Sequence, residues 1–260
     1  MMLKSNKKIE KIKDNDLILL LSKEKNFLVS KSLKVFQSQY GFVNLENITH
    51  YGQKIETSDG HKFTIVKPSV IDKLKKCKRM PQIVMPKDAA QIVAVTGLSN
   101  GWKCLDAGSG SGFLAIFIGN IVKPDGHVYT YEKNRKFADN VRKNVKLCGL
   151  EKIVTIINND VKNFKEKDLD LITIDMINAE KLIKKAYKNL KPGGWICIYS
   201  PHIEQQKNVV KEIEKLNFTQ IQTIENIQRQ WQVNSHDKGY THPKPSGILH
   251  TGFMTFARKI

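Results

Sequence analysis

Gly108, Gly110 and Gly112 fall in the stretch LDAGSGSG (105–112), after a short apolar approach and ahead of Phe113, Leu114, Ile116, Phe117, Ile118 and Ile121 at helical spacing. A strand that turns through glycines into a helix start brings free backbone N–H groups to close range, which suits a nucleotide-like ligand. The spacing here is G-x-G-x-G. A dinucleotide pyrophosphate loop would want a glycine at position 113, where this chain has Phe113, so a dehydrogenase is disfavoured. Carboxylates accompany the loop. Asp106 precedes it, and Glu132 follows Gly108 by 24 residues. A carboxylate at that point can accept hydrogen bonds from both hydroxyls of a ribose. In Asn159-Asp160-Val161, Asp160 can accept from an adenine amino group while Val161 packs on the ring. Asp175 closes another apolar run. One acid at a strand end is an ordinary solvated turn residue; three of them behind a glycine loop form a pattern.

The elements that must position these residues alternate from Gly101 onward. Strands are predicted at Lys103–Asp106, His127–Tyr131, Val154–Asn158, Leu169–Asp175 and Trp195–Tyr199. Helices are predicted at Phe113–Val122, Arg135–Leu147, Glu180–Leu190 and Ile203–Leu216. Such alternation builds a mostly parallel sheet whose ligands bind at the carboxyl ends of its strands. The last two strands, Phe218–Glu225 and Gly252–Ala257, have no helix between them and should pair antiparallel at one edge. Lys191-Pro192-Gly193-Gly194 reads as a turn. Residues 17–66 are different: about six short apolar runs between turn signals predict a small barrel or sandwich. Pro68 closes that region and Ser69–Cys77 reads as a brief helix. In MPKDAAQIVAVTGL, Asp88 with Gln91 three residues on reads as a helix-capping pair, a structural and not a catalytic role. Three parts result: 1–70, a small β-rich domain; 71–100, a helical linker; and 101–260, the domain holding the glycine loop.

The chain has 43 Lys and Arg against 25 Asp and Glu, a formal charge of +18. That excess predicts attraction to a polyanion, nucleic acid first and a membrane surface second, over the alternative of Lys-rich solvated faces. Residues 1–80 carry 17 basic and 8 acidic side chains, which makes the N-terminal part the denser in positive charge. Cys77, Cys104, Cys148 and Cys197 show no C-x-x-C spacing and read as small core residues in a reducing compartment. The charged opening, followed by only Leu17–Leu21, is too short for a signal peptide or a membrane span, so a cytoplasmic protein is expected. His236, His242 and His250 lack regular ligand spacing, so no metal is expected and a surface loop or RNA contact is favoured.

Eight segments together resemble a family. They are MPQIVMPKDAA (80–90), LDAGSGSG (105–112), YEKN (131–134), NNDV (158–161), LITIDM (171–176), YSPHIEQ (199–205), QRQW (228–231) and HTGF (250–253). The glycine loop is common to many methyltransferases; PQIV-x-PKDAA, SPHIEQ and HTGF are more restrictive. Over almost its whole length the chain is similar to the tRNA (adenine-N1)-methyltransferases acting on adenosine 58 of the T-loop, in particular their archaeal 57/58 type. The resemblance implies a class I S-adenosylmethionine-dependent methyltransferase fold: α/β, Rossmann-like, a mostly parallel sheet with an antiparallel edge hairpin, behind a small β-rich N-terminal domain. It also implies S-adenosylmethionine as cofactor, tRNA as partner and a homotetramer.

Carried over residue by residue, the resemblance places Val84, Gly108, Gly110, Ser111, Gly112, Phe113, Glu132, Asp160, Val161 and Asp175 around the cofactor. Asp175 would be the catalytic residue, beside the transferred methyl and the target base. Met85, Pro201, His202 and His250 would face the substrate. Met85 stands where the family often has Tyr or His, and a thioether cannot donate a hydrogen bond to a base. A protein carboxyl or small-molecule methyltransferase leaves the basic N-terminal region and HTGF unexplained. An N6-adenine DNA methyltransferase would want Asp/Asn-Pro-Pro-aromatic where this chain has Asp175-Met176-Ile177-Asn178. A non-catalytic tRNA-binding subunit would be expected to lose the loop and the acids, and here both are intact.

Overall fold

Alternating burial along short apolar runs sets the first unit, which ends at Cys77. Its strands are β1 (Leu17–Leu21), β2 (Asn26–Ser30), β3 (Val35–Ser38), β4 (Gly41–Asn44), β5 (Lys54–Glu56) and β6 (Lys62–Val66), followed by helix α1 (Val70–Leu74). The computed structural model describes residues 10–80, 83–235, 239–245 and 249–260. Residues 1–9, Pro81, Gln82 and His236 of the sequence reading lie outside the described residues. β2, β1, β6 and β5 form an open antiparallel sheet in that order, and β3 and β4 form a separate hairpin. Ile18, Leu20, Val43, Leu45, Phe63 and Ile65 bring both into one core, so the unit is a small sandwich and not a closed barrel. Ser69 and Asp72 form a reciprocal capping box at the start of α1.

The second unit, from Lys78 onward, begins with α2 (Pro86–Thr96) and then alternates. Its elements are β7 (Lys103–Ala107), α3 (Phe113–Val122), β8 (His127–Tyr131), α4 (Arg135–Cys148), β9 (Val154–Ile157), β10 (Leu169–Ile174), α5 (Ile183–Asn189), β11 (Leu190–Ser200) and α6 (Ile203–Ile213). It closes with β12 (Phe218–Glu225), a two-residue pair β13 (Trp231–Gln232) and β14 (His242–Pro243), and β15 (Phe253–Lys259). The seven-stranded sheet runs β12-β15-β11-β10-β7-β8-β9. β11, β10, β7, β8 and β9 are parallel, and β15 is antiparallel to both β11 and β12. This is the predicted antiparallel edge. Every residue of β10 is buried, as a central strand covered on both faces requires. From β7 the chain proceeds outward through β8 and β9, then returns to the other side of β7 with β10. The carboxyl ends of β7 and β10 therefore flank the switch point where open α/β sheets hold ligands.

Two local expectations are corrected. Lys191-Pro192-Gly193-Gly194 is not a turn ahead of the strand but an outward bulge within β11: Leu190 pairs with Leu169, and pairing resumes at Trp195 opposite Leu171. The helix expected from Glu180 opens with a 3-10 turn, Ala179–Leu182, and becomes α-helical only at Ile183.

Candidate active site

The turn after β7 is shaped by what lies against it. Gly108 has φ +99°, and a Cβ there would stand 2.3 Å from the carbonyl oxygen of Asp175. Only glycine lets β7 leave the sheet so close to the end of β10. The N–H groups of Gly108 and Ser109 donate to the Tyr131 carbonyl, at 3.2 and 3.0 Å. Gly112, at φ +78°, caps α3 and lies where a Cβ would meet Val141 Cγ1 at 2.7 Å. Glu132 follows β8 and turns back to the loop: Oε2 accepts from the Gly110 N–H (3.2 Å) and Oε1 from the Asn134 N–H (2.8 Å).

Asp106 is buried beneath the loop and accepts from the hydroxyls of Thr130 (2.7 Å) and Thr173 (2.9 Å). Thr130 has spent its proton there, so the Ser109 hydroxyl, 2.6 Å from Thr130 Oγ1, donates to it. Burial outweighs these hydrogen bonds and pushes the Asp106 carboxyl up to about 6. Asp175 continues the end of β10, its N–H donating to the Ala107 carbonyl at 2.9 Å. Its carboxylate receives no hydrogen bond from the described residues; burial, then the charge of Asp106, pushes it up to about 7.

Two cavities meet at Gly108, Gly110 and Asp175. A small one of about 20 Å³ is also lined by Val84, Ser111 and Phe113. A larger one of about 420 Å³ is lined by Glu132, Tyr199, Pro201 and His202. Among the described residues no lysine or arginine lines either, in a chain of charge +18.

Five sequence-predicted residues line neither cavity. Gly112 acts through the loop geometry. Asp160 caps the 3-10 turn Val161–Asn163 through the Lys162 N–H (2.9 Å), and Val161 is buried in the core beneath. Met85 caps α2 and is half-buried. His250 is held 2.6 Å from Glu225 and tilts on the Phe253 ring. His242 Nδ1 lies 2.9 Å from the Pro243 carbonyl oxygen, and no group of three metal-ligating side chains occurs among the described residues. All four cysteines are buried.

Asp88 is corrected. Pro86 occupies the first position of α2 and Met85 its cap, so Asp88 lies within the first turn, past the cap position, and fully buried. It pairs with Lys87 (2.8 Å) and accepts from the Thr251 hydroxyl (2.5 Å). Lys87 also donates to the Asn226 carbonyl and the Thr251 hydroxyl oxygen. The Tyr199 hydroxyl donates to the Thr251 carbonyl (2.6 Å), and the Tyr199 ring passes so close to Gly252 that a Cβ there would meet it at 2.7 Å. The PKDAA and HTGF segments thus fasten to each other and to an aromatic wall of the larger cavity. Asp88→Ala leaves the Lys87 ammonium buried without its anion and is expected to cost about 3–5 kcal/mol, read as a shifted urea midpoint. Sequence reasoning also missed a second clamp. Asn140 and Asn144 of α4 both donate to the Lys78 carbonyl, and Asn144 to that of Ser111. Two asparagines four apart on the apolar face of a helix were the available signal.

A glycine turn at the switch point of this seven-stranded sheet, with its antiparallel β15, defines a class I methyltransferase fold. A SAM-dependent O-methyltransferase from Thermotoga maritima has a similar structure, with a TM-score of 0.82 and 31% identity over 96% of this chain and 94% of that one. The tRNA (m1A58) methyltransferase TrmI from Aquifex aeolicus shares the fold at TM-score 0.77 and 23% identity, covering 96% and 99%. The family described as the tRNA methyltransferase complex GCD14 subunit matches residues 75–242. The TrmI protein of Methanocaldococcus jannaschii, named a tRNA (adenine(57)-N(1)/adenine(58)-N(1))-methyltransferase, is 31% identical over 93% of this chain and 94% of its own. The chain belongs to this GCD14/TrmI family of tRNA methyltransferases.

Proposed function

We propose that the protein transfers a methyl group from S-adenosylmethionine to N1 of adenosine 58 in the tRNA T-loop, with adenosine 57 as the neighbouring position to test. The observation that carries this is the Asp175 carboxylate, free of hydrogen bonds from the described residues, at the meeting point of the two cavities in a chain of this family. The residues present fit the cofactor. A Cβ-free cradle at Gly108 closes on the end of β10, the larger cavity has the size of a small-molecule site, and Asp106, Glu132 and Asp175 place carboxyl groups where a cationic ligand would favour their ionised form. Glu132 would accept from ribose hydroxyls, and Val84 and Phe113 would form an apolar wall. Gly108, Gly110, Ser111 and Gly112 would hold the loop, with Asp160 and Val161 at the adenine end.

S-adenosylmethionine, when bound, supplies a methyl already activated by its sulfonium. The chain has to orient the base: Asp175 accepts a hydrogen bond from the adenine 6-amino group and stabilises the positive charge that develops on the ring. N1 lies on the Watson–Crick edge, so the base must leave its stack, and Met85, Pro201, His202 and His250 would line its path. Lysines and arginines of residues 1–77 would grip phosphates. Binding of unmodified tRNA should therefore weaken at least tenfold between 50 and 200 mM salt, as a filter-binding series would read. A homotetramer in the cytoplasm is the corresponding assembly and setting; among the described residues no helix is long and apolar enough to cross a membrane.

Incubation with labelled S-adenosylmethionine and unmodified tRNA, followed by nucleoside mapping, tests the proposal. Label in 1-methyladenosine at position 58 supports it; label only in protein or a small molecule overturns it.

A further inference from the structure

We infer that Asp106 and Asp175 share one proton while the cavity holds no cation and release it when a sulfonium enters, so that the pair discriminates the charged methyl donor from its neutral thioether product. This deepens the methyl-transfer reading and rests on it for the identity of the cation. Asp106, from β7, and Asp175, after β10, line the same small cavity. Asp106 has its negative charge supported by two threonine hydroxyls, whereas Asp175 receives no hydrogen bond from the described residues. Asp106 is buried and Asp175 half-buried, and for two carboxylates lining one cavity the ionisation of the second meets the charge of the first. Burial raises both, and the charge of Asp106 adds to the rise at Asp175.

The other titratable groups facing the pair offer little relief. Glu132, after β8, adds negative charge that raises Asp106 further. Cys197 and Tyr199, from β11, are pushed up by burial, with Asp175 adding to both, and stay neutral near pH 7. His202, ahead of α6, lines the larger cavity and is the basic side chain there among the described residues. With no lysine or arginine in the lining among the described residues, the positive charge that would ionise both acids comes from a ligand.

The sign follows from linkage. A cation that favours the ionised pair displaces a proton to solvent, so its affinity rises with pH until the free pair is already ionised. A neutral ligand of the same shape displaces none. S-adenosylmethionine and S-adenosylhomocysteine differ by the methyl and by the charge on sulfur, which makes them the probes.

Titration calorimetry of both ligands on the full chain, from pH 5.5 to 8.5 and in two buffers of different ionisation enthalpy, tests the inference. The ratio of affinities, methyl donor over product, should climb up to about tenfold per pH unit and level off above pH 7. At pH 7 about half a proton should be released on binding the donor and close to none on binding the product. Asp175→Asn should flatten the ratio, Asp106→Asn should move the plateau to lower pH, and His202→Gln should keep the slope. A ratio independent of pH while both ligands bind overturns the inference and leaves the methyl-transfer reading standing. A slope that survives Asp175→Asn, or disappears with His202→Gln, assigns the proton to His202 and also overturns it. Failure of either ligand to bind at any pH overturns the methyl-transfer reading and the inference together.

Discussion

Asp175→Ala should weaken S-adenosylmethionine binding at pH 7 by roughly tenfold and cut turnover by roughly a hundredfold or more. The asymmetry has a physical origin. At pH 7 the carboxylate, raised to about 7 by burial and by Asp106, is half neutral in the free protein, so a cation must displace a proton in half of the molecules and only the attraction beyond that cost is lost on removal. In the proposed turnover the same carboxylate would fix the base and face the charge that appears on it, and no other described group would take over both tasks. Asp175→Asn separates them, since the amide oxygen still accepts a hydrogen bond but brings no charge. For the unaltered protein the sign is set by the raised value. Below pH 7 the carboxyl is protonated and kcat/KM should fall as pH drops, while above pH 7 it should be flat; Asp175→Asn should lose that limb. Binding by calorimetry and single-turnover methylation of tRNA provide the two numbers. Near-normal turnover in Asp175→Ala would remove Asp175 from the chemistry.

Gly108→Ala should abolish cofactor binding in practice, by roughly a hundredfold or more, with a loss of stability of about 1–3 kcal/mol from the backbone strain alone. Both effects come from one contact. The new Cβ would stand 2.3 Å from the Asp175 carbonyl oxygen at a φ of +99°. That oxygen cannot move freely, because the Asp175 N–H is tied to the Ala107 carbonyl within the β7–β10 pairing. Either the loop or the Asp175 carboxylate must shift. Gly112→Ala is the internal comparison: it meets a methyl of Val141, and Gly112→Ala with Val141→Ala should recover part of the loss. Thermal melting with and without S-adenosylmethionine reads strain and binding separately. Equal cofactor shifts for Gly108→Ala and the unaltered protein would show that the cradle is looser than its geometry implies.

The glycine loop and the strands around it were legible because local chemistry and global fold agree there. Phe113–Val122 and His127–Tyr131 carry the predicted bounds, set by glycines, apolar spacing and a turn. Asp88 was misread because D-x-x-Q ahead of an apolar run has the composition of a cap, whereas Pro86 had already started the helix. Its partner Thr251 stands 163 residues away, and nothing in either neighbourhood announces the other. Tyr199 was passed over because an aromatic within an apolar strand reads as core; only the contact with Thr251 and the cavity beside it make it part of the site. The bulge at 191–194 depends on pairing with β10, which local turn chemistry does not encode. In each case the missing information was a long-range contact.

The position of β15 carries a consequence for biosynthesis. It is the last strand of the sheet to be made, yet it lies inside, between β11 and β12. As the polypeptide leaves the ribosome, Phe218–Glu225 has no neighbour to pair with until Phe253–Lys259 emerges, and the open edge of β11 is likewise exposed. Thr251 and Gly252 arrive in the same stretch, so the wall behind Tyr199 is completed at that moment too. A nascent chain halted short of residue 251 would therefore present two unsatisfied strand edges, a species for chaperones to shield and proteases to recognise.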